Sequence, residues 1–165
     1  KKYRFIKNDT KLLDIGAYPG GWSQVSSKII TGGKILSIDI KKMEKLKNVS
    51  FLQCNFLEQN TKEKILNFFK AELDVVLSDM AADTTGNKSL DSIRTNKLCA
   101  EVIEFSTNIL KQNGVLVSKL FMGDDFIEVK ELAKSKFKKV EFFKPEASRR
   151  ESKETYIHCA LLKTL

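Results

Sequence analysis

Glycines and other turn-forming residues crowd behind the first apolar run of the chain, in the stretch DIGAYPGGW at positions 14–22. Glycine lets a ligand approach the backbone closely, and the free amides at a helix start can bind it. Asp39 ends the second apolar run, 23 residues after Gly16, where a carboxylate could accept hydrogen bonds from ribose hydroxyls. This spacing predicts a nucleoside site, although a tight turn on its own would also use glycine.

The turn differs from the Gly-x-Gly-x-x-Gly pattern that is typical of dinucleotide sites. Tyr18 and Pro19 fill it, and the bulky Trp22 follows. A pyrophosphate requires bare backbone at this point. A nucleoside with a carboxylate tail therefore fits better, and S-adenosylmethionine is such a ligand. A dinucleotide-dependent oxidoreductase stays open as the alternative.

The sequence around this turn alternates between strand and helix patterns. Short runs rich in Val, Ile, Leu and Phe predict seven strands, in KLLDIGA, KILSIDI, VSFLQCN, LDVVLSDM, GVLVSKLF, KVEFFKP and TYIHCALL. Helical spacing predicts helices over 19–30, 58–69, 90–110 and 125–137. The alternation predicts an α/β fold with a largely parallel sheet and helices on both faces. Only the polar segment PEASRRESKE joins the last two strands, which predicts that they pair antiparallel at one end of the sheet.

Length and composition limit the classes of protein. The 165 residues predict one domain spanning 1–165, and the net charge of +8 suits a polyanionic partner, although a genome that favours lysine would also produce it. The sequence has no apolar run of membrane-spanning length and no Cys/His spacing typical of a metal site. We therefore expect a protein without membrane or metal partners, with Cys54, Cys99 and Cys159 as reduced thiols.

Four ordered motifs, DIGAYPGGWSQ, LSDMA, VSKLFMG and SRRESKETYI, resemble those of the FtsJ/RrmJ-type ribosomal RNA 2′-O-methyltransferases over nearly the whole chain. The resemblance implies the Rossmann-like class I methyltransferase fold, with a seven-stranded, mostly parallel sheet whose last strand is antiparallel. It implies methyl transfer from S-adenosylmethionine to a ribose 2′-hydroxyl, in the bacterial type on a uridine of ribosomal RNA in the large ribosomal subunit. Transfer RNA and messenger caps stay open as substrates. We expect a cytoplasmic monomer, or a protein of the organellar matrix in a eukaryote.

The catalytic lysine–aspartate–lysine–glutamate set of that family is carried over residue by residue. The aspartate matches Asp79 in LSDMA, the second lysine matches Lys119 in VSKLF, and the glutamate matches Glu154 in SKETY. The resemblance implies that Lys119 removes or polarises the hydroxyl proton while the two carboxylates orient its ammonium. The first lysine belongs to a basic N-terminal helix of the family that the given sequence does not include. We therefore expect this chain to bind cofactor but to methylate RNA poorly, with a non-catalytic RNA-binding relic as the alternative.

The resemblance also implies residues that bind the two substrates. Asn55 stands where the family usually has aspartate, which predicts somewhat weaker cofactor binding, and Trp22 is expected at the methionine end. The cofactor set is Gly16, Ala17, Pro19, Gly20, Gly21, Trp22, Asp39, Asn55, Phe56 and Asp79. Basic loop residues near the expected site predict contacts to RNA phosphates, and these are Lys41, Lys42, Lys45, Lys144, Arg149, Arg150 and Lys153. His158, in an apolar strand, is expected to be packed rather than catalytic.

Overall fold

The computed structural model describes residues 4–164, which form one seven-stranded sheet with four helices. In chain order the elements are β1 (Lys11–Ile15), α1 (Gly21–Ile29), β2 (Lys34–Asp39), β3 (Ser50–Gln53), α2 (Gln59–Phe69), β4 (Leu73–Ser78), α3 (Lys88–Thr107), β5 (Leu110–Phe121), α4 (Phe126–Lys136), β6 (Phe137–Phe143) and β7 (Glu154–Leu162). In this part of the chain no helix combines the length and the apolar character needed to cross a bilayer.

The strand order is β3-β2-β1-β4-β5-β7-β6. Strands β1 to β5 pair parallel, whereas β7 pairs antiparallel with both β5 and β6. The predicted sheet, including its antiparallel last strand, is confirmed, since the segment between β6 and β7 is too short for a crossover helix. The chain leaves β1 towards β2 and later returns to β4 on the other side of β1. Parallel α/β sheets bind ligands at such a reversal, beyond the carboxyl ends of the strands.

Each face of the sheet buries its own apolar cluster. The larger cluster packs α2, α3 and α4 against one face, around buried side chains such as Ile103, Leu116 and Phe137. The smaller cluster lies on the face covered by α1 and includes Leu77 and Val117. Because side chains alternate between faces along a strand, residues two positions beyond these, at the carboxyl ends of β4 and β5, point to the face of α1.

The largest differences from the predicted element boundaries are at α3 and β5. Helix α3 begins at Lys88 rather than at 90, because the Asn87 side chain accepts hydrogen bonds from the backbone amides of Ser89 and Leu90, both at 3.1 Å. The same helix ends at Thr107, and β5 begins at Leu110, four residues before the predicted strand. The chain thus enters the sheet sooner than the apolar run GVLV indicates, and a register irregularity against β4 accompanies this early start.

Candidate active site

The glycine turn after β1 packs tightly against the turn after β4. Gly16 has φ +71°, and a Cβ placed there would lie 2.8 Å from Met80 Cγ and 3.0 Å from the Met80 backbone nitrogen. The backbone amides of Gly16 and Ala17 both donate to the Ile38 carbonyl, at 2.9 and 3.1 Å. Glycine at position 16 is therefore required both for the backbone conformation and for the close approach of β4.

Asp39 organises the next turn of the site. Its carboxylate accepts the backbone amide of Tyr18 on one oxygen at 2.9 Å and that of Lys41 on the other at 2.8 Å. A carboxylate has about four acceptor directions, so each oxygen keeps capacity for a ligand hydroxyl. The two amides fix the carboxylate at the carboxyl end of β2.

A first cavity of about 330 Å³ opens beyond the carboxyl ends of β1, β2, β3 and β4. Its lining includes five of the predicted cofactor residues, namely Gly16, Asp39, Asn55, Phe56 and Asp79. Three apolar side chains at its edge are exposed, Tyr18, Ile40 and Leu57, with Ile40 at 60%. Exposed apolar groups that converge on a concave site are suited to a flat aromatic ligand.

This first cavity is acidic although the chain as a whole carries a charge of +8. The carboxylates of Asp39, Asp79 and Asp83 line it, with Lys41 as the one basic residue of the lining that the structure describes. A lining of this kind attracts cationic groups and repels phosphates. It therefore favours a nucleoside with a cationic tail over a dinucleotide.

The three predicted catalytic residues come together at the ends of adjacent strands. Lys119 Nζ lies 3.1 Å from Asp79 Oδ1 and 3.4 Å from Glu154 Oε2. Asp79 follows β4, Lys119 lies in β5 and Glu154 begins β7, and the side chain of Lys119 is only 13% exposed. The sheet order and the alternation of faces thus bring two carboxylates to one ammonium.

Tyr156, which none of the sequence motifs indicated, joins Lys119, Asp79 and Glu154 in what we call the Lys119 cluster. Its hydroxyl donates to Asp79 Oδ1 at 2.7 Å and lies 3.4 Å from Glu154 Oε1. Burial, and then the neighbouring carboxylates, raise the pKa of Tyr156, so the phenol keeps its proton and remains a donor. The spacing Glu154-x-Tyr156 was the available signal, since residues two apart in a strand share a face.

A second cavity, of about 470 Å³, lies on the other side of the Lys119 cluster. It is lined by the aromatic side chains of Trp22, Phe143 and Tyr156, by Glu154, and by the segment joining β6 to β7. The structure thus places Trp22 here, 5.5 Å from the Tyr156 ring between centroids, and not at the first cavity. Four other predicted cofactor residues belong to the glycine turn without lining the first cavity, and these are Ala17, Pro19, Gly20 and Gly21.

Two predicted residues of the first cavity also have structural contacts. Asn55 Oδ1 accepts the backbone amide of Leu57 at 3.0 Å, which commits part of its acceptor capacity to the local turn. Phe56 is buried and packs edge-on against Phe105, 5.3 Å between centroids. The Phe56 side chain therefore packs in the core and also lines the first cavity.

The predicted RNA-contacting residues separate into different surroundings. Lys144 Nζ donates to the carbonyls of Arg150 and Ser152, at 3.0 and 2.5 Å, and so closes the segment between β6 and β7. Arg149 lines the second cavity, and the Lys41 ammonium lies over the Tyr18 ring, 5.4 Å from its centroid. The remaining members are exposed on loops, and these are Lys42, Lys45, Arg150 and Lys153.

The other titratable side chains noted from the sequence lie in the core or at its edge. His158 is buried, 5.7 Å from the Phe5 ring between centroids, and burial lowers its pKa. Cys99 and Cys159 are buried and Cys54 is half-buried, all three as free thiols. Over residues 4–164 no cluster of His, Cys, Asp and Glu side chains is arranged to hold a metal ion.

A buried carboxyl lies beneath the glycine turn. Asp14 in β1 is fully buried, and the Ser23 hydroxyl donates to its Oδ2 at 2.5 Å and lies 2.7 Å from the Ser37 hydroxyl. Burial raises the pKa of Asp14 from 3.8 to about 7; the Ser23 hydrogen bond opposes that rise, and the charges of Asp79 and Asp39 add to it. Between pH 3.8 and about pH 7, the Asp14 carboxyl therefore keeps its proton in the folded state but loses it in the unfolded chain.

This proton predicts a pH-dependent effect of Asp14→Asn. Because the folded-state pKa of Asp14 is the higher one, wild-type stability falls as pH rises from about 4 to about 7, and the loss persists above that. Asparagine cannot ionise, so the free energy of unfolding of the variant minus that of wild type should be more positive at about pH 8 than at about pH 5, which means that the variant gains stability relative to wild type. Urea denaturation at both pH values measures this difference.

Asp74→Asn is the matched control for that measurement. Burial alone would raise the pKa of Asp74, but the Lys11 backbone amide and the Lys111 ammonium outweigh it and lower the pKa. Its titration lies below that of an ordinary aspartate, so its effect on stability should be equal at the two pH values. A pH-independent difference for Asp14→Asn as well would show that Asp14 is ionised in the folded protein.

Comparison with known proteins agrees with the fold and the motifs. Residues 1–161 match the FtsJ-like methyltransferase family. The ribosomal RNA large subunit methyltransferase E of Pelagibacter ubique is 43% identical over 163 residues, covering 99% of this chain and 80% of that protein. A crystal structure of a ribosomal RNA methyltransferase from Plasmodium falciparum superposes with a TM-score of 0.85 at 28% identity, over 98% of this chain and 91% of that one.

A more distant structure shares the fold alone. Human methyltransferase-like protein 13, crystallised in complex with SAH, superposes with a TM-score of 0.71 at 14% identity, over 95% of this chain and 77% of that one. The family match covers nearly the whole chain, and the alignment with the Pelagibacter relative covers 99% of this chain. The chain therefore belongs to the FtsJ-like methyltransferase family.

Proposed function

We propose that this protein transfers a methyl group from S-adenosylmethionine to a ribose 2′-hydroxyl of ribosomal RNA in the large subunit, on a uridine. The observation that carries the proposal is the cluster of Lys119, Asp79 and Glu154, which spans from the first cavity to the second. The substrate is supported by the name of the Pelagibacter relative, which refers to the large ribosomal subunit.

The first cavity has the chemistry that S-adenosylmethionine requires. Its acidic lining complements the sulfonium and ammonium charges, and the spare acceptor capacity of Asp39 suits the ribose hydroxyls. The exposed side chains of Ile40 and Leu57 provide apolar surface for the adenine. When bound, S-adenosylmethionine supplies a methyl group on a sulfonium, a good leaving group. A dinucleotide would bring its phosphates against three carboxylates, which argues against the oxidoreductase alternative.

Asp39→Ala tests the cofactor assignment. Removing the carboxylate eliminates the proposed hydrogen bonds to the ribose, so the affinity for S-adenosylhomocysteine should fall by about 1–3 kcal/mol, roughly 5- to 150-fold in Kd. Calorimetry measures this change. Asp83→Ala removes a carboxylate from the same cavity and controls for its general electrostatic attraction. Equal losses in the two variants would leave Asp39 without a specific contact to the ligand.

The Lys119 cluster can position and activate the acceptor oxygen. An ammonium has three N–H donors, and that of Lys119 lies within ion-pair distance of the carboxylates of Asp79 and Glu154. One of its donors can hold the acceptor oxygen and align its lone pair with the methyl group. The Glu154 carboxylate, which lines the second cavity, is placed to take the hydroxyl proton as the new bond forms. Since the leaving group is good, alignment should supply much of the rate.

An assay of the product tests the proposed function directly. The protein is incubated with methyl-labelled S-adenosylmethionine and large ribosomal subunits that lack the modification. A ribose 2′-O-methyl group blocks alkaline cleavage of the next phosphodiester, so the label should appear in alkali-resistant dinucleotides. Label on a base, or on transfer RNA in preference to subunits, would overturn the proposed acceptor.

A further inference from the structure

We propose that the second cavity binds the base of the acceptor nucleotide in an unstacked state, with the half-buried aromatic side chains of Trp22 and Phe143, which both pack on the buried Tyr156, as its stacking surface. This inference rests on the proposed function and extends it to the way the substrate is held. It identifies an RNA segment that is single-stranded, or locally opened, at the acceptor position.

The aromatic lining of this cavity is continuous. The Trp22 and Tyr156 rings lie 5.5 Å apart between centroids, and the Tyr156 and Phe143 rings are stacked 5.7 Å apart with an interplanar angle of 22°. Every nucleobase has a flat π-face that stacks on such rings, and proteins that bind unpaired RNA use this contact repeatedly. The volume of the second cavity, about 470 Å³, falls in the range of small-molecule sites, about 300–1,000 Å³, and suits one nucleoside.

The segment between β6 and β7 forms another part of the cavity wall, and internal hydrogen bonds fix its conformation. The Lys144 ammonium donates to the carbonyls of Arg150 and Ser152, which ties both ends of the segment between β6 and β7 together. Arg149 and Ser148 of this segment also line the cavity. They place a charge and a hydroxyl beside the aromatic surface, where they can contact the flanking phosphate and the polar edge of a base.

The position of the cavity connects it to the reacting group. Glu154 and Tyr156 belong both to the cavity lining and to the Lys119 cluster. A base that stacks on Trp22 or Phe143 in this cavity therefore lies beside Glu154 and brings its own ribose towards the Lys119 ammonium. A paired base in a duplex cannot enter an aromatic cavity of this kind, so the nucleotide has to leave its stack first.

Trp22 is the single tryptophan of the 165 residues, so tryptophan fluorescence reports on this cavity. The probe is a uridylate pentamer, compared with an otherwise identical pentamer of abasic ribose phosphates. The uridylate pentamer should change Trp22 fluorescence in a saturable way, and the abasic pentamer should bind about tenfold more weakly with no such change. Equal binding of the two, or uridylate binding without a fluorescence change, would overturn the proposal.

Two variants locate the contact. Phe143→Leu removes one aromatic face while keeping apolar volume, and Ala147→Phe fills the cavity from an exposed loop position. Each should raise the Kd of the uridylate pentamer and the KM for large subunits about tenfold, with kcat and S-adenosylhomocysteine affinity changed less than about twofold. Phe126→Leu, which replaces a ring packed on Phe142 at 4.8 Å elsewhere on the sheet, is the matched control and should change neither quantity.

The outcomes separate this proposal from the proposed function. Unchanged pentamer affinity and KM in both variants would overturn the base site while methyl transfer by wild type stands. Absence of methyl transfer by wild type, with fluorescence that still depends on Phe143, would overturn the proposed activity and leave the RNA site. Retained affinity for S-adenosylhomocysteine shows that each variant is folded.

Discussion

Lys119→Ala is expected to lower the rate of methyl transfer at least about a hundredfold while cofactor affinity stays within about threefold of wild type. The ammonium lies between two carboxylates at 3.1 and 3.4 Å, and it is the group that can hold the acceptor oxygen. Asp39 and the apolar side chains that we propose as the cofactor site lie in the first cavity, which Lys119 does not line. Transfer of labelled methyl groups to large subunits and calorimetry with S-adenosylhomocysteine measure the two quantities separately.

Lys111→Ala is the matched control for that experiment. Lys111 also lies in β5 and pairs with an aspartate, Asp74, at 2.6 Å, but at the amino end of the strand. Removing it takes a lysine–carboxylate pair from the same strand without approaching either cavity. Substantial turnover by Lys119→Ala would mean that another group activates the hydroxyl, and an equal loss in Lys111→Ala would mean that folding is affected.

Asp79→Ala is expected to reduce both turnover and cofactor affinity, each by at least about tenfold. Asp79 lines the first cavity, lies 3.1 Å from the Lys119 ammonium, and accepts the Tyr156 hydroxyl at 2.7 Å. Its removal therefore takes one of three carboxylates from the proposed cofactor site and leaves the Tyr156 hydroxyl and the Lys119 ammonium without this partner. Steady-state kinetics and calorimetry on the same preparation measure both effects.

Glu154→Gln distinguishes the two sides of the cluster. Glu154 lines the second cavity and not the first, so this variant should lose turnover while retaining cofactor affinity. A loss of affinity in Glu154→Gln equal to that in Asp79→Ala would contradict the division of the cluster between the two cavities.

The sequence predicts the sheet and the placement of the acidic and basic site residues well. Asp39 ends β2, while Asp79 and Lys119 each come two positions after a buried apolar residue of the face that α1 covers, Leu77 and Val117. Alternation along strands and the convergence of parallel carboxyl ends are local rules. They place these side chains at one edge of the sheet, whereas the distances between them depend on the strand order.

Other features depend on contacts between distant segments, which no local rule supplies. Trp22 contacts the Tyr156 ring because α1 packs on the face of the sheet to which Tyr156 belongs. The Tyr156 hydroxyl reaches Asp79 only because β7 pairs with β5 in the register that sets Tyr156 opposite Lys119. The Lys144 side chain points towards the carbonyls of Arg150 and Ser152, whose positions are set by the fold of the loop as a whole.

The separate linings of the two cavities have a consequence for the order of events in turnover. The cluster of Lys119, Asp79 and Glu154 lies between them. Direct methyl transfer from the proposed cofactor cavity to the proposed acceptor cavity requires both substrates at once, so we expect intersecting double-reciprocal plots and not the parallel plots of a ping-pong scheme. With RNA in the second cavity and cofactor in the first, as we propose, the separate linings allow either substrate to bind first and allow spent cofactor to be exchanged while the RNA stays bound.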